Sequence, residues 1–530
     1  MNRWLRYALT RRRFLQLLGS GAAVLAVSAC GQQAPSSGEE TTTEPAPAAG
    51  EPQRGGVARV AFASAIANLD PAHMFSAEEL SLANIVYERL TTVFEPETIQ
   101  PALATAWKAA ADGLSWTFTL RDGVTFHNGA AFGAEDVVYS FERVLDPDMG
   151  SMARSFLGFV SGVTALDDLT VRFDLEQPNS DFPILLASPS TSIVPRDSSD
   201  EELAEQPIGT GAFQFAAYTP GERMQLVRNE TYWQAQLPYL DEVQFLFISE
   251  TSTRLQALAS NTVDIIWNLG LEQVSTVKAN PDLQLQEVKE AVYPYIILNQ
   301  NYPPMDDNRV REALKLCVDR EGMVQAATQG YGTIANDQPV PPWYALRADI
   351  PPREQDIARA KELLAEAGYA DGLTLAMATS ALRPTMQETA IAFQEMARQA
   401  GITIELERLP NDTYWGEYLN YPLATSNLPY DPLSLDAALA LSYHSAGAWN
   451  EPGYKNPELD ELIEQVSMEA DVTKRTEMYA QIQQIISDEG AWLIATYNPT
   501  FTASRTTLHD IKMGRVPLLH LSETWMEPAA

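Results

Sequence analysis

The chain has 530 residues, with 36 basic and 70 acidic side chains and a net charge of −34. So acidic a chain excludes nucleic acid and anionic lipid surfaces as partners, because both require the opposite sign. Its length provides about three domains' worth of residues at ~150 each, ample for large cores.

Residues 1–30 read as an export leader. Arg3, Arg6 and the run Arg11, Arg12, Arg13 form a charged front, residues 14–27 an apolar middle, and Val27-Ser28-Ala29-Cys30 a lipoprotein cleavage box. The apolar run is too short for the ~20 residues that span a bilayer. Residues 10–16, "TRRRFLQ", resemble the twin-arginine export signal, with Gln where Lys is usual. Acyl chains on Cys30 would hold the mature N-terminus at a membrane, at roughly 0.8 kcal/mol per buried methylene. Residues 31–54 are rich in Pro, Ala, Ser, Thr and Glu and almost free of large apolar side chains, the composition of a disordered tether. Cleavage leaves 31 basic residues against 70 acidic ones, and once Cys30 is modified Cys317 is the sole thiol, so no intramolecular disulfide forms.

After the tether, "GVARVAFASAI" alternates as a strand does. "SWTFTLRDGVTFHNG" alternates again, with Trp116, Phe118 and Leu120 on one face and Val124 and Phe126 beyond an Asp122-Gly123 turn. "AEDVVYSFERVL" sets Val137, Val138, Phe141 and Val144 at helical spacing, and "LTVRFDLEQP" is a strand stopped by Pro178. "GAFQFAAY" and "MQLVRN" pair around Pro220-Gly221, and "STRLQALASNTVDIIWN" is a helix followed by a strand. From about residue 291, helices and strands alternate more regularly. "YPYIILNQN" is an apolar strand, and "RVREALKLCVDREGMVQAA" reads as one helix with Val310, Leu314, Cys317 and Val324 on its buried face. "IARAKELLAEAGY" ends at Gly368 before the strand "LTLAMAT". "TMQETAIAFQEMARQAG" ends at Gly401 before the strand "ITIELERL". Asn456 and Pro457 open a further helix as cap and first residue. The fold class is α/β.

Catalytic and metal motifs are absent. None of the eight lysines is followed by Ser or Thr, which removes a phosphate-binding loop, and no HExxH, EF-hand or paired CxxC occurs. His73, His127, His444, His509 and His520 lie far apart, so no metal-ligand spacing exists. Ser275-Thr276-Val277-Lys278 matches a four-residue SxxK but lacks its companion motifs. Asp306-Asp307 are partners for a helix N-terminus, and Cys317 is a buried thiol. A chain this long without a catalytic constellation points to a non-enzymatic binder.

Several stretches together resemble the solute-binding lipoproteins of ABC importers, family 5, which includes oligopeptide-, dipeptide- and nickel-binding members. They are "PALATAWKAAADGLSWTFTLRDGVTFHNGAAFGAEDVVYSFERV", "PIGTGAFQFAAYTPGERMQLVRNETYW", "RLQALASNTVDI", "NQNYPPMDDNRVREALKLCVDREGMV" and "AKELLAEAGY", in the family's order across residues 55–530. The resemblance implies a periplasmic-binding-protein-like fold of class II (cluster C). Residues 55–92, 205–290 and 497–530 would form lobe I, 93–204 an inserted small lobe, and 291–496 lobe II, closing on a ligand by a hinge. It further implies a monomer without cofactor or metal. This receptor would be held outside the cytoplasm, in the periplasm or on the outer face of the cell membrane, and would hand its solute to a permease complex.

Peptide-binding members carry an aspartate for the ligand's amino group where this chain has Leu428, which leaves Asp431 as the substitute. Arg383 occupies a loop where relatives hold a ligand carboxylate. Tyr430, Tyr443 and Trp449 supply rings for stacking, while Asn68, Asp70 and Asn427 complete a polar set. The expected ligand is a peptide-like or other polar organic solute. A nickel-chelate or sugar receptor in the same fold, a surface hydrolase and a ligand sensor stay open as alternatives.

Overall fold

Three large sheets and the apolar cores packed on them, two of those on the seven-stranded sheet, organise the computed structural model. It describes residues 51–93, 98–289, 292–383, 385–411, 413–429, 434–469, 471–513 and 518–528. The leader with Cys30, most of the tether, Tyr430 and Asp431 lie outside the described residues.

The first strand, Val57–Phe62, lies inside a seven-stranded sheet, parallel to Glu242–Phe247 on one side and Ile265–Leu269 on the other. Being central, it is buried on both faces. Ala58, Val60 and Phe62 join one core and Ala61 the other, with Phe62 stacked on Phe245 at 4.6 Å. The hairpin expected around Pro220-Gly221 forms between Phe213–Thr219 and Arg223–Arg228, and Gly221 supplies φ +73° at the turn. Leu283–Lys289 and Pro499–Arg505 complete the other side of the sheet.

A four-stranded antiparallel sheet follows the order Ala104–Ala109, Ser115–Leu120, Thr170–Leu175, Val160–Asp167. The helix Ala134–Leu145 packs against it through Val137, Phe141 and Val144, with Phe141 edge-on to Phe173 at 4.8 Å. Val124 and Phe126 are buried as their spacing requires, yet they do not extend a strand. Phe126 N–H bonds Ala130 O and Phe132 N–H bonds Val124 O, so the segment closes on itself as a loop.

A five-stranded sheet runs in the order Ile402–Arg408, Leu373–Thr379, Leu423–Pro429, Val292–Leu298, Trp492–Leu493. The helix expected over "RVREALKLCVDREGMVQAA" is two helices, Asn308–Leu316 and Arg320–Thr328. Asp319 breaks the run by capping the second one, its Oδ1 accepting Gly322 N–H at 2.9 Å. Asp319→Ala is expected to cost about 1 kcal/mol, read as a lowered urea midpoint. Cys317 ends the first helix fully buried, and burial pushes its thiol up to about 12, so it is inert.

Polar contacts tie the two segments of the seven-stranded unit to each other and the four-stranded unit to both. Glu88 accepts from Thr210 Oγ1 (2.8 Å), Tyr232 OH (3.0 Å) and Trp233 Nε1 (2.9 and 2.8 Å). His127 Nδ1 accepts Gly209 N–H at 3.3 Å, so its Nε2 donates to Gly211 O at 3.0 Å. Burial lowers this histidine to about 4, and the ring stays neutral. Glycine is required at 209, because a Cβ there would sit 2.1 Å from Val86 O. That close approach is the physical content of the "GTGAF" motif.

Candidate functional site

The site follows from strand direction. In the five-stranded sheet, Leu373–Thr379 is parallel to both Ile402–Arg408 and Leu423–Pro429, so Thr379, Arg408 and Pro429 end at one edge. In the seven-stranded sheet, Phe62, Phe247 and Leu269 end at one edge, where Leu283–Lys289 also ends and Pro499–Arg505 begins. The chain passes between the sheets twice, from Lys289 to Val292 and from Leu493 to Pro499, the second time by way of Thr496–Tyr497, which pairs with Thr333–Ile334. Both passages leave and enter at these edges, so the carboxyl ends of the two sets of parallel strands meet there. Ligands of open α/β sheets bind outside the carboxyl ends of strands.

On the seven-stranded side, the loop after Phe62 is held at both ends by one carboxylate. Glu79 Oε1 accepts Ala67 N–H (3.1 Å) and Asn68 N–H (3.0 Å), while Oε2 accepts Phe75 N–H (3.0 Å) and Ser76 N–H (2.9 Å). Burial opposes its ionisation, but these donors hold its pKa below the usual carboxylate value. Asn68 is thereby presented with an exposed side chain. Asp70 is instead buried: Oδ1 accepts Ala72 N–H at 3.0 Å and Oδ2 pairs with Arg143 Nη2 at 2.6 Å. Its carboxylate ties the loop to the helix Ala134–Leu145.

On the five-stranded side, the loop after Thr379 is braced by Ser380 Oγ, which donates to Asn411 Oδ1 at 2.7 Å. Arg383 is exposed in this loop. Thr385, which closes the loop before the helix Met386–Arg398, has φ +65°, a conformation a β-branched residue adopts only at a cost of about 1–3 kcal/mol. Asn498, on the second passage between the sheets, donates to Thr385 Oγ1 at 2.8 Å and holds it there. Asn427 is half-buried opposite Pro294, and the Leu428 backbone pairs with Tyr293.

Trp415, just beyond the end of Ile402–Arg408, is 44% exposed and stands edge-on to Tyr414 and Tyr418 at 5.2 and 5.1 Å. In the sequence its one signal is an aromatic residue shortly after a strand end. Tyr418 OH donates to the half-buried Glu451 at 2.6 Å, and Tyr295 OH donates to its other oxygen. Burial raises the Glu451 pKa, and these hydroxyls oppose the rise. This network draws on residues 295, 418 and 451, which no local motif connects.

Tyr443 and Trp449 sit elsewhere. Tyr443 is 2% exposed, its OH 2.7 Å from Tyr293 OH and its ring 4.5 Å from Trp492, so it belongs to the core of the five-stranded unit. Trp449 is half-buried against the same core. His444 bridges helices, with Nε2 3.3 Å from Glu464 Oε1. Among the described residues, no group of three His, Cys, Asp or Glu side chains could hold a metal ion, and no helix is long and apolar enough to cross a membrane. A surface hollow of about 520 Å³ lies away from the strand ends, beside Asp319, Glu321, Gln325 and Ile334.

Residues 98–450 match the family described as bacterial extracellular solute-binding proteins, family 5 Middle. The chain is 29% identical over 451 residues to Heme-binding protein A of Haemophilus influenzae, covering 78% of this chain and 82% of that protein. It is 26% identical over 451 residues to the Glutathione-binding protein GsiB of Salmonella typhimurium, covering 82% and 87%. The structure matches the periplasmic binding protein DppA of Helicobacter pylori, solved with the peptide STSA, with a TM-score of 0.77 and 26% identity over 90% of this chain and 99% of that one. Two sheets meeting at their carboxyl edges, with this match over two-thirds of the sequence, place the chain in the family 5 extracellular solute-binding proteins, the receptors of ABC importers.

Proposed function

We propose that this protein is a lipid-anchored receptor, fixed through Cys30, that captures a peptide-like or other polar organic solute between two lobes. By closing around the solute it presents it to an ABC permease, without chemistry of its own. The lobes are those expected from the sequence: residues 55–92, 205–290 and 497–530 as the first, 93–204 as its insert and 291–496 as the second. The observation that carries the reading is the meeting of two strand-end edges at two passages of chain. Two short connections side by side permit a swing about one axis, which is the geometry of hinge closure.

Within the cleft, Arg383, Asn427, Trp415 and Asn68 are the proposed contacts, joined by Tyr430 and Asp431. Asp70 supports the loop that bears Asn68. A guanidinium binds a carboxylate or phosphate in bidentate fashion, and an exposed indole stacks on flat or sugar-like groups. Two relatives are named for heme and for glutathione, and DppA was solved with a peptide, so the ligands named among them are organic molecules.

Native mass spectrometry of the mature chain with Cys30 replaced by Ser, compared before and after denaturation, tests the reading. Co-purified peptide masses would support the peptide reading and make Asp431 the amine partner to substitute next, and a single non-peptide mass would point to the solute itself. A solute-free protein that binds nothing in a melt screen of peptides and organic acids would overturn it. Arg383→Ala and Trp415→Ala are each expected to weaken binding of the identified solute at least about tenfold by calorimetry, with the melting temperature of the free protein unchanged.

A further inference from the structure

The four-stranded unit touches the five-stranded one through residues 179–181. This segment is rigid on its own side: Trp116 Nε1 donates to Asn179 O at 3.2 Å, and Asn179 Oδ1 accepts Asp181 N–H at 2.9 Å. Phe182, next along, is buried 5.2 Å from Phe173. Across the gap, Ser180 N–H and Oγ both donate to Ser467 O, at 3.3 and 3.2 Å. Asp181 Oδ1 accepts from Arg475 Nη2 at 2.8 Å.

Arg475 is shared. The same Nη2 lies 2.9 Å from Asp436 Oδ2 and 2.8 Å from Tyr479 OH, and Tyr479 donates to Asp436 Oδ1 at 2.5 Å. Its Nε is buried and unpartnered. Asp436 is buried, and burial together with the Asp181 charge raises its pKa, with Arg475 opposing. Asp181, Arg475 and Tyr479 are the groups that face it. One guanidinium thus holds two carboxylates, one from each unit, and Ala437 packs beside it on the core of the four-stranded unit.

The four-stranded unit is fixed to the seven-stranded one by the His127 contacts with Gly209 and Gly211 and by the Arg143–Asp70 pair. Asp436, Arg475 and Ser467 lie on helices packed on the five-stranded sheet. Among the described residues no chain segment joins the two sides at this contact, so swinging the bodies apart at the passages separates it. We infer that Ser180 and Asp181, gripped by Ser467 and Arg475, form a latch that forms only on closure and sets how long a captured solute is held. The inference rests on the closure reading. Contacts present in only one of two states bias the equilibrium by their own free energy, whether or not they touch the ligand.

The test is single-molecule energy transfer on the mature chain with Cys30→Ser and dyes at Leu166→Cys and Ile391→Cys, both exposed positions on opposite sides of the contact. The buried Cys317 stays unlabelled. Without added solute, the protein with native Asp181 is expected to populate a short distance, and Asp181→Ala to shift the closed-to-open ratio about tenfold toward the long one. Asp181→Asn, which keeps the side-chain shape, is expected to shift it the same way. Two populations in unchanged proportions in both variants would overturn the latch and leave closure standing. A protein with native Asp181 found only at the long distance would also overturn the latch. A single, invariant distance in every variant would overturn the latch and the closure reading together.

Discussion

Glu88→Ala is expected to lower the unfolding free energy by about 3–5 kcal/mol, measured by urea titration of tryptophan fluorescence. The wild-type carboxylate accepts from one indole and two hydroxyls, and all of these bonds are lost once it is removed, that of the buried Thr210 hydroxyl among them. Each orphaned buried donor costs about 1–3 kcal/mol. The neighbouring Arg89 aggravates the loss. It is buried, with Nε and Nη1 unpartnered, and burial already lowers it to about 10. Without Glu88 its charge has no counter-ion. Burial raises the Glu88 pKa and the three donors oppose it, so the carboxylate is retained for its accepting geometry. Glu88→Gln keeps one accepting oxygen and turns an NH₂ toward the remaining donors, so its cost is expected to be intermediate.

The second large effect is a pH dependence. Lys315 is fully buried, and Nζ donates to Ser487 O at 2.8 Å and Ile486 O at 3.3 Å, at the end of the helix Val472–Asp488. Arg311 and Arg353 donate to Glu489 O and Ser487 O, so three cations stabilise the negative pole of one helix. Burial is the main cause that brings Lys315 down to about 7, and the nearby Arg353, Arg311 and Arg320 add to it, while Asp337 opposes. A folded-state pKa below the unfolded one means that the unfolded chain binds the extra proton between the two values. Stability therefore rises with pH from about 7 towards 10, by about 2–3 kcal/mol between pH 7 and 9. A neutral amine still donates to both carbonyls, so the cap survives deprotonation. Lys315→Met is expected to flatten this slope when melting temperatures are compared across pH 7–9. An equal slope in both proteins would place the titration on another group.

The strands and turns followed from local pattern. Val57–Phe62, Phe213–Thr219, Leu373–Thr379 and Ile402–Arg408 stand where alternation or an apolar run put them. Asn456 caps its helix through Glu458 N–H at 2.9 Å, as its place before Pro457 required. The errors were also local in origin. Asp319 looked like one more polar position on a helical face, and only its bond to Gly322 N–H made it a cap. Val124 and Phe126 kept the spacing of a strand without a neighbouring strand to pair with.

Among the candidate ligand residues, Asn68, Arg383 and Asn427 lie on or beside the meeting edges, because each follows or ends a strand whose direction the fold determines. Tyr443 has the composition of a stacking ring, but Tyr293 and Trp492 enclose it. Trp415 went unread because exposure is a property of the packed chain.

From the sequence alone came the acidic character, the exported and tethered reading of the N-terminus, the α/β alternation and the family resemblance. All of these rest on composition or on contacts within a few residues. The tertiary structure decided which strand edges meet, that Asp70 serves Arg143, and that Asp181 reaches Arg475 across 294 positions of chain. Such pairings join residues that no window of sequence holds together, and burial of their charges is worthwhile only once both partners have arrived.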